Sequence, residues 1–165
     1  MNVSQIRAIG LEDISLCVSV IWESFSTVAK ELGLTAQNAP RFTAFAVTEE
    51  RLRRQLLQEK RPMYGFFQDG ALAGFYSLFL QEEGCSCELN NLCVLPARRH
   101  QRVGEELLAH SLETAKRLGY KKMHLGIVEE NQILRRWYEA HGFRHTDTKR
   151  FDFFPFTCGY IERCL

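Results

Sequence analysis

Residues 96–110, PARRHQRVGEELLAH, gather Arg98, Arg99 and Arg102, with His100 among them, at the start of an apolar helical stripe. Val103, Leu107, Leu108, Leu112, Ala115 and Leu118 form that stripe by their spacing. A helix N-terminus already carries roughly +0.5 of a charge, so cations there are unfavourable by themselves. An anion seated on the helix start reverses the balance, because free N–H groups, the dipole and the arginines then act together. The alternative is a solvated basic turn. No GxxxxGK[ST] occurs, so a nucleotide-hydrolysing P-loop is not supported. Cysteines stand at 17, 85, 87, 93, 158 and 164. Cys85-Ser-Cys87 lacks the spacing of a zinc knuckle and no His-x-x-x-His follows, so no metal is expected.

The chain that must position this cluster has 165 residues, enough for one domain, 1–165, with a proper core. Hydrophobic content of 45% and charged content of 25% are ordinary for a globular protein. The net charge of +1 sets up no global field for nucleic acid or an anionic membrane, so neither is an expected partner. The start, MNVSQIRAIG, lacks the apolar region of a signal peptide. The longest apolar run, ALAGFYSLFL at 71–80, is about half of what a membrane span needs. A cytoplasmic protein with reduced, mostly core-packed thiols is expected.

No repeat or linker divides the sequence. Residues 3–9 predict a first strand, and 11–29 a helix with Ile14, Val18, Ile21, Trp22 and Phe25 at helical spacing. After a loop, Thr48 caps a second helix that buries Leu52, Leu56 and Leu57. MYGFF and ALAGFYSLFL flank Gln68-Asp69-Gly70, a hairpin signal. A turn at QEEG, 81–84, leads to CSCELNNLCVLP, completing a three-stranded meander ahead of the basic helix. That helix stops at Gly119; KKMHLGIV is a further strand, and NQILRRWYEAHGF a short helix ending at Gly142. Strands in 143–150 and 154–164 close the chain. In ELNNLCV, Leu89 sits on odd parity while Leu92 and Val94 sit on even parity. Either a β-bulge at Asn90 and Asn91 intervenes, or the strand is buried on both faces.

The segment CELNNLCVLPARRHQRVGEELL, with Asn131, WYEAHGF at 137–143 and the strand order, resembles the GCN5-related N-acetyltransferase (GNAT) superfamily. The resemblance implies an α/β fold: a mixed, mostly antiparallel central sheet of about six to seven strands flanked by about four helices. The family's phosphate loop falls on Arg99, His100, Gln101, Arg102, Val103 and Gly104, with Arg102 standing where the first glycine is usual. It implies that acetyl-CoA is the co-substrate, with its pyrophosphate on the N–H groups of residues 100–105, Glu105 included. The pantetheine arm is expected against Leu92, Cys93 and Val94, with the Val94 N–H polarising the thioester carbonyl.

By the same resemblance Asn131 contacts the coenzyme and Tyr138 protonates the departing thiolate. The residues alone leave an N-cap for Asn131 and a core aromatic for Tyr138. Cys93 invites a nucleophile reading, but no His stands at a recognisable spacing, so a core or backbone-contact role is preferred. An attacking amine must be neutral, and a typical alkylamine has a pKa near ~10.4, so a base is required. Glu88 is the first choice, against a solvated strand residue; His124 and Glu129 are the alternatives. The acceptor is expected near 25–47 and RFDFFPFTCGY at 150–160, where Phe151, Phe153, Phe154 and Phe156 line a pocket or pack the core.

These readings predict transfer of an acetyl group to a primary amine, a small-molecule or peptide acceptor with the small-molecule amine favoured over a protein N-terminus or lysine, by direct attack within a ternary complex. A non-catalytic coenzyme-binding sensor or interaction domain is the competing class, and a homodimer is allowed.

Overall fold

A computed structural model of the chain describes residues 2–83 and 85–165. Its elements run β1 (Ser4–Ala8), α1 (Ile14–Glu31), α2 (Thr43–Ala46), α3 (Glu49–Leu57), β2 (Met63–Gln68), β3 (Ala71–Leu80), β4 (Ser86–Val94), α4 (Val103–Arg117), β5 (Lys122–Val128), α5 (Gln132–Ala140), β6 (Arg144–Arg150) and β7 (Thr157–Cys164). The seven strands form one sheet in the order β1-β2-β3-β4-β5-β7-β6, antiparallel except for the β4–β5 pair. The fifth helix, beyond the four expected, is the single turn α2 within the predicted loop.

Local chemistry explains the frame. Asp69 and Gly70 have φ of 51° and 82°, the paired left-handed residues of a type I′ turn, and they close the β2–β3 hairpin. Thr48 Oγ1 accepts from Arg51 N–H at 3.1 Å and starts α3. Glu12 and Asp13 lie in a 3₁₀ turn just before α1 rather than in its first turn. Asp13 accepts from both Arg7 guanidinium nitrogens (2.8 and 3.1 Å) and from Gly10 N–H (2.9 Å), pinning the helix start to β1. The turn predicted at 81–84 includes Gly84, which lies outside the described residues.

Two faces of the sheet bury separate cores. Val103, Leu107 and Leu108 of α4 pack with Tyr138, Phe143, Cys87, Leu89, Met123, Leu125 and Ile127 on one side. Ile14, Cys17, Val18 and Ile21 of α1 pack with Leu52, Phe75 and Cys93 on the other. Leu57 and Leu118, assigned by spacing to buried stripes, are 52% and 50% exposed. Leu57 is the last residue of α3 and Leu118 the C-cap of α4, while Gln55 and Thr114 take the buried positions of those last turns. The last strand begins at Thr157 rather than 154, and Phe151, Phe153, Phe154 and Phe156 belong to the β6–β7 connection.

Candidate active site

The parity change in β4 is a bulge. Ser77 pairs with Asn90 and Phe75 with Cys93, so Asn91 and Leu92 together face the one β3 residue between. Asn91 takes φ of 56° to make it. Cys87 and Leu89 before the bulge, and Leu92 and Val94 after it, all meet the α4 core, whereas Cys93 meets the α1 core. β4 pairs with β5 only over Ser86–Glu88. Beyond Glu88 the two parallel strands separate, leaving one edge of residues 89–94 without a strand partner.

That open edge has a defined donor. Leu95 N–H donates to Ala73 O at 2.9 Å on the β3 side. Successive backbone groups alternate sides, so the Val94 N–H faces the opening. The Val94 carbonyl shares that side and accepts from Arg99 Nε at 3.3 Å, while Arg99 Nη2 donates to the Ser24 carbonyl in α1 at 2.9 Å. Arg99 is thus engaged with the backbone of two elements. Arg98 similarly donates to Gln68 Oε1 at 3.0 Å.

The loop ahead of α4 alternates backbone states: Arg99 is extended, and His100 and Arg102 have φ of 64° and 68°. Arg102 therefore adopts the left-handed conformation a glycine would, and its side chain runs outward to Glu105 at 3.2 Å, 82% exposed. Among the described residues, none of the six consecutive N–H groups of residues 100–105 has a protein acceptor; the first helical bond is Glu106 N–H to Arg102 O. By contrast Thr48 caps α3 and Asn131 caps α5. Gly104 faces Val94 and Trp137, so helix start, open strand edge and α5 meet there.

Asn131 is the N-cap of α5, its Oδ1 accepting from Leu134 N–H at 3.2 Å; its amide nitrogen has no acceptor among the described residues. Tyr138 is 3% exposed, held edge-on by Trp137 (4.9 Å between ring centres) and Phe143 (5.3 Å). Burial pushes its phenol pKa well above the usual value, and its hydroxyl has no protein partner among the described residues. Burial also pushes the Cys93 thiol up to about 12, so it stays protonated, which speaks against a nucleophile.

Across the β4–β5 pair, Glu88 lies opposite His124 in register, with Glu88 Oε2 3.8 Å from His124 Nε2. Ser86 Oγ lies 2.7 Å from His124 Nδ1. Glu88 and His124, first choice and alternative as base, thus form one cluster at the point where the strands part. Sequence reasoning missed the pairing, although the parity of KMHLGIV already puts His124 opposite Met123, Leu125 and Ile127. Glu129 is elsewhere occupied: Arg135 at 2.9 Å and His145 at 3.0 Å hold its carboxylate. Of the aromatic segment, Phe156 is core, packed on Phe42 (5.9 Å) and Phe154 (4.6 Å), whereas Phe153 is 37% exposed.

The sequence profile of the Acetyltransferase (GNAT) family matches residues 28–143. An uncharacterized N-acetyltransferase of Mycobacterium tuberculosis is 26% identical over 105 residues, 64% of this chain and 67% of its own length. Among solved structures, the PaiA N-acetyltransferase of Thermoplasma acidophilum in complex with coenzyme A has a TM-score of 0.85 at 20% identity, covering 99% of each chain. The ribosomal-protein-S18-alanine N-acetyltransferase of Escherichia coli has a TM-score of 0.73 at 17% identity, covering 98% of this chain and 94% of its own. At these identities the structural likeness is one of fold.

Proposed function

The chain belongs to the acetyltransferase (GNAT) family and is an acyltransferase, and from that membership we propose that it acetylates a small primary amine by direct attack within a ternary complex. Residues 1–165 act as one domain in this reading. The observation that carries it is the row of six acceptor-less N–H groups at 100–105, beside the open edge of β4. Unpaired backbone donors at a helix start need an acceptor, and a pyrophosphate supplies several at once. The residues present therefore fit the coenzyme.

His100, Gln101, Arg102, Val103, Gly104 and Glu105 bind the pyrophosphate through their backbone. The Asn131 amide nitrogen donates to the coenzyme arm, and Leu92, Cys93 and Val94 meet it along the unpaired edge, as an added strand would be met. When bound, acetyl-CoA supplies the acetyl thioester. The Val94 N–H polarises the carbonyl; the protein places that donor there in advance, so it needs no reorganisation. Arg99 keeps the Val94 peptide in that orientation by holding its carbonyl. The Glu88–His124 pair takes the proton of the amine, directly or through water, and Ser86 orients the imidazole. Tyr138, kept protonated by burial, holds its proton for the departing sulfur.

Thiol release from acetyl-CoA in the presence of a panel of primary amines, with mass analysis of the products, tests the reading. A product heavier by one acetyl group is expected. Coenzyme binding with no thiol release for any amine would contradict it.

A further inference from the structure

A cleft of about 80 Å³ opens beside the bulge, lined by Arg41, Arg51, Arg61, Gln55, Asn90 and Asn91 among others, with no acidic residue in its lining. One water needs about 10–15 Å³ of such space, so the cleft has room for a carboxylate or phosphate head. Arg61 is paired with Glu59 at 2.6 Å and lies over the Phe79 ring. Arg41 stacks on Phe153 at 4.2 Å. Neither Arg41 nor Arg51 has a carboxylate partner among the described residues. A chain of net charge +1 has thus gathered three guanidinium groups at one cleft and neutralised one of them.

Gln55 gives the second, independent sign. It is 6% exposed, lines the cleft, and its side-chain oxygen has no partner among the described residues. Its amide nitrogen also has no acceptor among the described residues and, unlike the oxygen, keeps accessible surface, so it can donate to an incoming anion. Position gives the third. Asn90 lies two residues beyond Glu88 on the same face of β4, which at 3.4 Å per residue sets the cleft about 7 Å from the base.

We propose that the acceptor amine carries an anionic group, which Arg41, Arg51, Arg61 and Gln55 hold in this cleft while its amino group reaches Glu88 and His124. The proposal rests on the acetyl-transfer reading above. The Glu88–Asn90 spacing of about 7 Å along β4 then suits an amine and an anion joined by a short chain, as in an ω-amino acid. A di- or polyamine is disfavoured, because its second cation would meet the arginines.

Four amines of matched length test this: 5-aminopentanoate, 4-aminobutylphosphonate, pentylamine and 1,5-diaminopentane. The kcat/KM for an anionic amine is expected to exceed that for pentylamine at least tenfold, through KM, and diaminopentane is expected to be poorest. The carboxylate and phosphonate arms tell which anion fits. In the Arg41→Gln, Arg51→Gln double variant the preference should fall at least tenfold, with a coenzyme-induced melting shift confirming the fold. Equal use of pentylamine and 5-aminopentanoate, a preference for diaminopentane, or a preference retained by the double variant would overturn the proposal and leave acetyl transfer standing. If no amine turns over, the acetyl-transfer reading fails, and calorimetric titration of 5-aminopentanoate with coenzyme A present judges the cleft. Binding lost in the double variant supports it, and binding no tighter than that of pentylamine overturns it.

Discussion

Arg99 donates to the backbone carbonyl of Ser24 at 2.9 Å, joining the loop before α4 to the middle of α1. The same guanidinium holds the Val94 carbonyl, so one side chain ties together the loop before α4, the open strand and the first helix. Its charge serves the site through position. The cations at this helix start have separate roles. Arg98 and Arg99 satisfy protein acceptors, Arg102 points to solvent, and the N–H groups of residues 100–105 have no protein acceptor among the described residues.

Replacing Arg99 by Ala is therefore expected to lower stability without any coenzyme, by about 1.5–3 kcal/mol, the range for hydrogen bonds to a charged group. Denaturant unfolding of the free protein measures it. Unchanged stability, together with a salt-dependent loss of coenzyme affinity, would place the guanidinium on the phosphate instead.

The loop amides give a second expectation. Adding coenzyme A should slow hydrogen exchange of the residue 100–105 amides much more than exchange in the last turns of α4. Arg102→Gly should keep coenzyme affinity within about threefold, because glycine readily takes the φ of 68° that Arg102 already has. A tenfold loss of affinity would assign the Arg102 side chain a direct role.

Asp13 predicts a pH dependence. The Arg7 side-chain bonds lower its pKa below the usual carboxylate value. A depressed folded pKa gives stability that is present above the unfolded value of about 3.9 and is lost as pH falls through the folded one. Asp13→Asn should thus cost about 1–3 kcal/mol at pH 7, and the gap from the parent should shrink below about pH 4. A gap that is constant with pH would show that the charge contributes nothing.

Much of the fold was legible because its signals are local. Asp69-Gly70 dictates its turn and Thr48 its cap, whereas the parity switch between Leu89 and Leu92 and the cap at Asn131 were each one of two readings that the structure decides. What the sequence left open depends on reach across the sheet. Arg99 has enough rotatable bonds to point at solvent, a phosphate or a carbonyl, and only the approach of α1 selects the last. Glu88 and His124 meet only because β4 and β5 pair over three residues before parting, a register that no local pattern encodes. Leu57 and Leu118 follow the helical period but lie where each helix has already left the core.

The Glu88–His124 pair acts as a unit in this account. Glu88→Gln and His124→Ala should each lower kcat/KM by about 10²–10⁴, and the double variant should be little worse than the poorer single one. Pre-steady-state rates of the three variants and the parent at saturating acetyl-CoA check this. Independent, multiplying effects would separate the two residues.

Tyr138→Phe tests the account most directly, because it removes one hydroxyl and keeps the ring packed between Trp137 and Phe143. Single-turnover acetyl transfer should slow by roughly 10²–10⁴, with coenzyme affinity and melting temperature nearly unchanged. Burial raises the phenol's pKa, so the parent rate should show no decline from phenol ionisation as pH rises through about 10. An unchanged single-turnover rate in Tyr138→Phe would contradict the account and leave Tyr138 a core residue of a coenzyme-binding protein.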